Sequence, residues 1–123
     1  MREPSAQELL SSISGVEIGQ VSDPTFLLDI EYWKKLAVTP SFSEYIMVFT
    51  LSFDQSMIEY GLKIAEESGK KLISVNMVQP DDDRYIVIRD ASPEEWLGLI
   101  EDADMVLTDS FHCTLFSILL GTE

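Results

Sequence analysis

The sequence predicts an α/β fold, a mainly parallel sheet between helical layers, and two observations carry that expectation. From residue 45 onward, apolar strand-like runs and helical patterns follow in the order strand, helix, strand, strand, helix, strand, helix. Alternation of this kind implies right-handed crossovers and parallel pairing. The first run, Tyr45-Ile46-Met47-Val48-Phe49-Thr50-Leu51, is apolar almost throughout, as a strand covered on both faces should be.

The elements follow in order. Ser5-Ala6-Gln7-Glu8 has capping-box spacing. Leu9, Leu10 and Ile13 share a face and Gly15 is a natural stop, so a short helix is expected over 5–13. Val16, Ile18 and Val21 suggest a weak strand that ends at Ser22-Asp23-Pro24, because Pro has no N–H for a ladder. Residues 29–37 read as a helix, with Asp29 as cap and Lys34 and Lys35 near its end. Val38 to Glu44 mixes Thr, Pro and Ser without periodicity and marks a boundary. Residues 1–38 are therefore expected as an appendage, 39–44 as a linker, and 45–123 as the main domain.

Within that domain, Asp54 caps a helix to about Ser68, with Ile58, Leu62 and Ala65 on one face and Gly69 at its end. Strands are expected at 45–51, 72–77, 85–88 and 105–108. Ser92-Pro93-Glu94-Glu95 combines a cap, a Pro at the first helical position and a box Glu. Trp96, Leu99, Ile100 and Ala103 then have the spacing of a buried helical face. Asp109 and Ser110 offer caps for a last helix, Phe111 to Leu120, which is apolar nearly all round and expected to be buried. Val106, Leu107, Leu115, Phe116 and Leu119 are the candidate core of this end.

Composition limits the function. The 123 residues are 46% hydrophobic and 24% charged, a globular balance rather than a disordered one. The net charge of −14 argues against nucleic-acid backbones and anionic membranes as partners, and its ordinary meaning is a well-solvated surface. No apolar run approaches the ~20 residues of a membrane span. Met1-Arg2-Glu3-Pro4 does not open like a secretion signal, so a cytoplasmic location is expected. The single cysteine, Cys113, permits neither an internal disulfide nor a thiolate zinc site.

The segment Thr108-Asp109-Ser110-Phe111-His112-Cys113-Thr114 holds the chemistry. It lies where the last strand passes to a helix, and ligands of parallel sheets collect at such strand ends. Free N–H groups and the helix dipole there favour an anion. Ser110 and Thr114 add hydroxyls, and His112, the only histidine, offers a donor or a general acid. The plainer alternative is that Asp109 or Ser110 is only an N-cap and His112 a half-buried packing residue. Cys113 beside a histidine at a helix start has the surroundings of a low-pKa thiol, although burial as a small apolar residue is the commoner role. Asp81-Asp82-Asp83 reads as a solvated loop rather than a cation site, and no metal is expected. Tyr32 and Trp33 suit helix-face packing better than sugar stacking. Dinucleotide and P-loop glycine patterns are missing. A phospho-receiver is disfavoured too, for want of an acidic pair beside Asp54 and a late strand-end Lys.

Asp109-Ser110-Phe111-His112-Cys113-Thr114-Leu115-Phe116-Ser117-Ile118 resembles the signature of the polysaccharide pyruvyl transferase family, D-S-F-H-G-T-x-F-S-I. Arg2-Glu3 before a short helix, Asp23-Pro24-Thr25-Phe26-Leu27-Leu28, and Pro93-Glu94-Glu95-Trp96-Leu97 with Ile100 and Ala103-Asp104 resemble other family segments in order and spacing. The resemblance spans nearly the whole chain. It departs from the family at Cys113, where the family usually has Gly.

The resemblance implies a Rossmann-like domain, one lobe of a two-lobed glycosyltransferase-like (GT-B) fold. Residues 1–38 would then be the tail of a preceding domain, and 45–123 a truncated C-terminal domain inactive on its own. It implies transfer of pyruvate from phosphoenolpyruvate to sugar hydroxyls as a ketal on a cell-surface polysaccharide, with no further cofactor. Within it, His112 is the catalytic candidate, and Asp109, Ser110, Phe111, Cys113 and Thr114 are the substrate-binding candidates. Two other readings stay open: a glycosyltransferase-like domain that binds a nucleotide sugar, and a non-catalytic α/β interaction module.

Overall fold

The computed structural model describes residues 2–75 and 80–123. Asn76 and Met77, expected in the second strand, and Gln79, expected in a loop, lie outside the described residues.

Four parallel strands form the sheet: β1 (Tyr45–Phe49), β2 (Lys71–Val75), β3 (Ile86–Ile88) and β4 (Met105–Thr108), in the spatial order β3-β2-β1-β4. The sheet is flanked by helices on both faces, a Rossmann-like α/β arrangement. Strand alternation sends Ile46 and Val48 to one face, where Ile58, Ala65 and Leu72 complete a core under α3 (Gln55–Ser68). It sends Tyr45 and Met47 to the other face. There they meet Leu97, Leu99 and Ile100 of α4 (Pro93–Glu101) and Cys113, Phe116 and Leu120 of α5 (Phe111–Leu120). This is why the β1 sequence is apolar on both sides of its pleat.

Three helix caps match their sequence signals. Asp54 accepts from the N–H groups of Ser56 and Met57. Ser92 and Glu95 form a complete capping box behind Pro93. α2 (Ile30–Leu36) is capped by Asp29, which accepts from Tyr32 N–H at 2.9 Å. Trp33 of α2 packs edge-on against Phe116, with ring centroids 5.0 Å apart, so it serves packing, while Tyr32 stays exposed.

Three expectations change. α1 (Pro4–Ser14) starts one residue early, with Glu3 rather than Ser5 at its cap position, because the fixed φ of Pro4 suits the first helical turn. Residues 16–23 form no strand; with no neighbouring strand to pair, the chain runs irregularly into a 3₁₀ turn, Pro24–Leu27, capped by Asp23. Val106, Leu107 and Leu119 are half-buried, while Leu115 and Phe116 are buried. β4 is the sheet edge, so its side chains have a strand neighbour on one side alone. α5 is likewise not buried all round, since Phe111 and Ile118 are exposed. Leu119→Ala is accordingly expected to cost near the low end of the buried-leucine range, about 2 kcal/mol, in urea unfolding.

The chain leaves β1 through α3 on one face and reaches β4 through α4 on the other. The switch in winding direction falls between β1 and β4, and a crevice at their C-terminal ends is the expected place for a ligand.

Candidate functional site

β4 ends at Thr108 and α5 begins at Phe111, so Asp109 and Ser110 make the turn at that crevice. Each is fixed by hydrogen bonds. Asp109 Oδ1 accepts from Leu51 N–H at 2.8 Å, which ties the turn to the loop after β1. Ser110 N–H donates to Thr108 Oγ1 at 3.0 Å, and Ser110 Oγ accepts from Cys113 N–H at 3.4 Å as the helix cap. Thr114 Oγ1 donates to Ser110 O at 3.0 Å. Ser110 is buried, whereas Phe111, His112 and Thr114 are exposed. The first turn of α5 therefore presents its free N–H groups beside an exposed imidazole.

Cys113 points the other way. Its side chain is fully buried among Tyr45, Met47 and Phe116, on the core side of the helix. Burial pushes the thiol up to about 11, against a weaker opposing hydrogen bond with Thr108. The helix start does not activate this cysteine. Native protein is expected to resist thiol alkylation at pH 8 and to react promptly once unfolded in urea; rapid modification of the native state would contradict the burial.

The structure adds three residues that no sequence pattern joined to His112. Asp23 Oδ2 lies 3.5 Å from His112 Nε2 and 2.5 Å from an Arg2 guanidinium nitrogen. Asp23 Oδ1 accepts from Thr25 N–H at 3.0 Å and from Thr25 Oγ1 at 2.7 Å. The Thr25 hydroxyl first, then its N–H, Arg2 and His112 hold the Asp23 carboxyl well below the usual carboxylate range, against the opposing effect of burial. Arg2 also stacks over the Phe111 ring, 4.6 Å from its centroid, and Phe111 meets His112 edge-on. Residues 2, 23 and 112 are remote in sequence, and no motif spacing links them. The Arg2-Glu3 and Asp23-Pro24-Thr25 segments signalled a family likeness but not a shared site.

A cleft of about 550 Å³ opens beside this cluster, between Arg2, Gln20, Asp23, Phe26 and Phe111. A larger hollow of about 770 Å³ lies between α3 and the starts of β2 and β3, lined by Lys63, Lys70, Lys71 and Arg84. It sits at the wrong strand ends for a parallel-sheet ligand site. The acidic run does not converge: Asp81 pairs with Arg89 at 2.7 Å and Asp82 with Arg84 at 2.7 Å. Among the described residues, no group of three His, Cys, Asp or Glu side chains could hold a metal.

The family model of polysaccharide pyruvyl transferase matches residues 1–123. The chain belongs to the polysaccharide pyruvyl transferase family. Membership indicates a transferase of polysaccharide biosynthesis with a saccharide as acceptor. No curated protein and no solved structure matches the chain significantly. Among the described residues, no helix of this family member is long and apolar enough to cross a membrane.

Proposed function

We propose that this chain supplies the donor side of a transferase that moves pyruvate from phosphoenolpyruvate to two sugar hydroxyls. The product is a cyclic ketal on a polysaccharide destined for the cell surface, made in the cytoplasm. The observation that carries the reading is the exposed His112 on the first turn of α5, beside the Arg2–Asp23 pair. A helix start with a cationic side chain nearby suits an anionic donor, even in a chain of net charge −14.

His112 is the proton source in this reading. Protonation of the methylene carbon of phosphoenolpyruvate turns it into a methyl group and leaves an electrophilic centre at C2. One sugar oxygen bonds to that centre. The second sugar oxygen then displaces phosphate, which closes the ketal. Of the two hydroxyl protons released, one restores the imidazolium and the other leaves with phosphate. Phe111 and His112 contribute N–H groups and Thr114 its exposed hydroxyl to donor binding. Ser110, Asp109 and Cys113 act by fixing the backbone that presents them.

The test offers the intact enzyme a saccharide acceptor with phosphoenolpyruvate or with nucleotide sugars. Ketal formation and matched phosphate release with phosphoenolpyruvate alone support the reading. Turnover of a nucleotide sugar would favour a glycosyltransferase, and binding of neither donor an interaction module.

A further inference from the structure

Among residues 2–44, Asp23 and Thr25 are the only buried ones, and both are polar. The rest of that stretch leaves even Leu9, Ile13, Val16 and Leu27 exposed. A buried carboxylate in so exposed a segment is expensive unless its oxygens are fully engaged. One oxygen suffices for the capping role: Oδ1 takes both the N–H and the hydroxyl of Thr25. The other, Oδ2, faces Arg2 and His112, which come from different parts of the chain. Asp29 also caps a helix, yet it is exposed and its oxygen accepts from backbone alone. Capping therefore accounts for one oxygen of the Asp23 carboxylate and leaves the other to Arg2, at 2.5 Å, and to the imidazole, at 3.5 Å.

We propose that Asp23 is a positioning residue for His112: its buried carboxylate holds Nε2 of the imidazole, so that Nδ1 is the nitrogen that exchanges a proton with the substrate. This rests on the role given to His112 above and adds which nitrogen works and what orients it. Nδ1 carries no hydrogen bond among the described residues. The other charged groups around the carboxylate are Arg2, which shares Oδ2, and Glu3, whose Oε1 lies 3.7 Å from Arg2 Nε. Arg2 stacks on Phe111 while it holds Oδ2, so the guanidinium and the imidazole approach that oxygen together. The 3.5 Å separation of Nε2 and Oδ2 is long for a hydrogen bond, and such contacts commonly tighten once substrate is bound.

Because the chain has one histidine, nitrogen NMR of its imidazole reads the tautomer without ambiguity. In the neutral ring the proton is expected on Nε2, and Asp23→Asn is expected to reduce that preference. A proton on Nδ1 in the wild-type chain would overturn the proposal. This readout needs no turnover, so it stands apart from the assignment of the reaction. In the intact enzyme, Asp23→Asn is expected to lower kcat at least about tenfold, with the ~10⁴-fold loss seen when a triad carboxylate becomes an amide as the ceiling. The same substitution made in a His112→Ala background should change kcat less than about twofold, since Asp23 acts through the imidazole. Equal losses in both backgrounds would overturn the proposal and make Asp23 a structural cap. Full activity of His112→Ala itself would instead overturn the function reading. Asn keeps an acceptor oxygen for Thr25, so folding should survive; an altered melting profile would transfer the decision to the wild-type tautomer.

Discussion

His112→Ala is expected to reduce pyruvate transfer by about 10²–10⁴-fold, the usual effect of removing a general acid, while the melting temperature stays unchanged. The imidazole is exposed at the start of α5, so no core contact is lost with it. It is also the chain's only histidine, and the neighbouring Cys113 thiol is buried and pushed up to about 11. Neither can another imidazole replace it nor can the thiol take over the proton at neutral pH. His112→Gln makes the sharper comparison. If His112 delivers a proton, Gln should be as poor as Ala, because an amide does not titrate. If it only donates a hydrogen bond to the donor, Gln should keep part of the rate. Full activity in both variants would return His112 to a surface residue without a role in the reaction.

The largest expected loss of stability comes from Gly98→Ala. A methyl group at Gly98 would lie 1.8 Å from the carbonyl oxygen of Val38 and 2.6 Å from its carbon. The obstacle is backbone, and that backbone is anchored, since Val38 N–H donates to Glu94 O at 2.9 Å. Neither α4 nor the segment after α2 can yield without giving up this bond and the packing of α2 on α4. The cost should reach the upper end of the overpacking range, about 3 kcal/mol or more, in denaturant unfolding. Gly61→Ala is the control. There the nearest atom, 2.8 Å away, is the end of the Leu72 side chain, which can rotate aside at smaller cost. Losses of equal size at both positions would show that the Val38 contact gives way easily.

The four strands and the helices around them were legible because each carries a local signal. β1 is apolar on both pleat faces, α4 opens with a cap, a Pro and a box Glu, and α3 closes at Gly69 with φ 70°. What failed depends on partners that local pattern cannot supply. Val16, Ile18 and Val21 alternate as a strand would, but no strand lies beside them to complete a ladder. The half-buried state of Val106 and Leu107 follows from β4 being at the sheet edge, which is a property of strand order and not of composition. The site divides in the same way. The block around His112 was legible as a strand-to-helix turn with an imidazole and hydroxyls. The contribution of Asp23 and Arg2 was not, because their contacts with each other and with His112 span 21 and more residues; Thr25 joins only through its local contact with Asp23.

Phosphoenolpyruvate is expected to bind at the first turn of α5. This is tested most directly by titrating that compound into the isotopically labelled chain and mapping the perturbed NMR signals. Saturable shifts are expected at the amides of Phe111, His112 and Thr114, at the His112 ring, and at Arg2. Shifts confined to Lys63, Lys70, Lys71 and Arg84 at the opposite strand ends, or none that saturate, would contradict it.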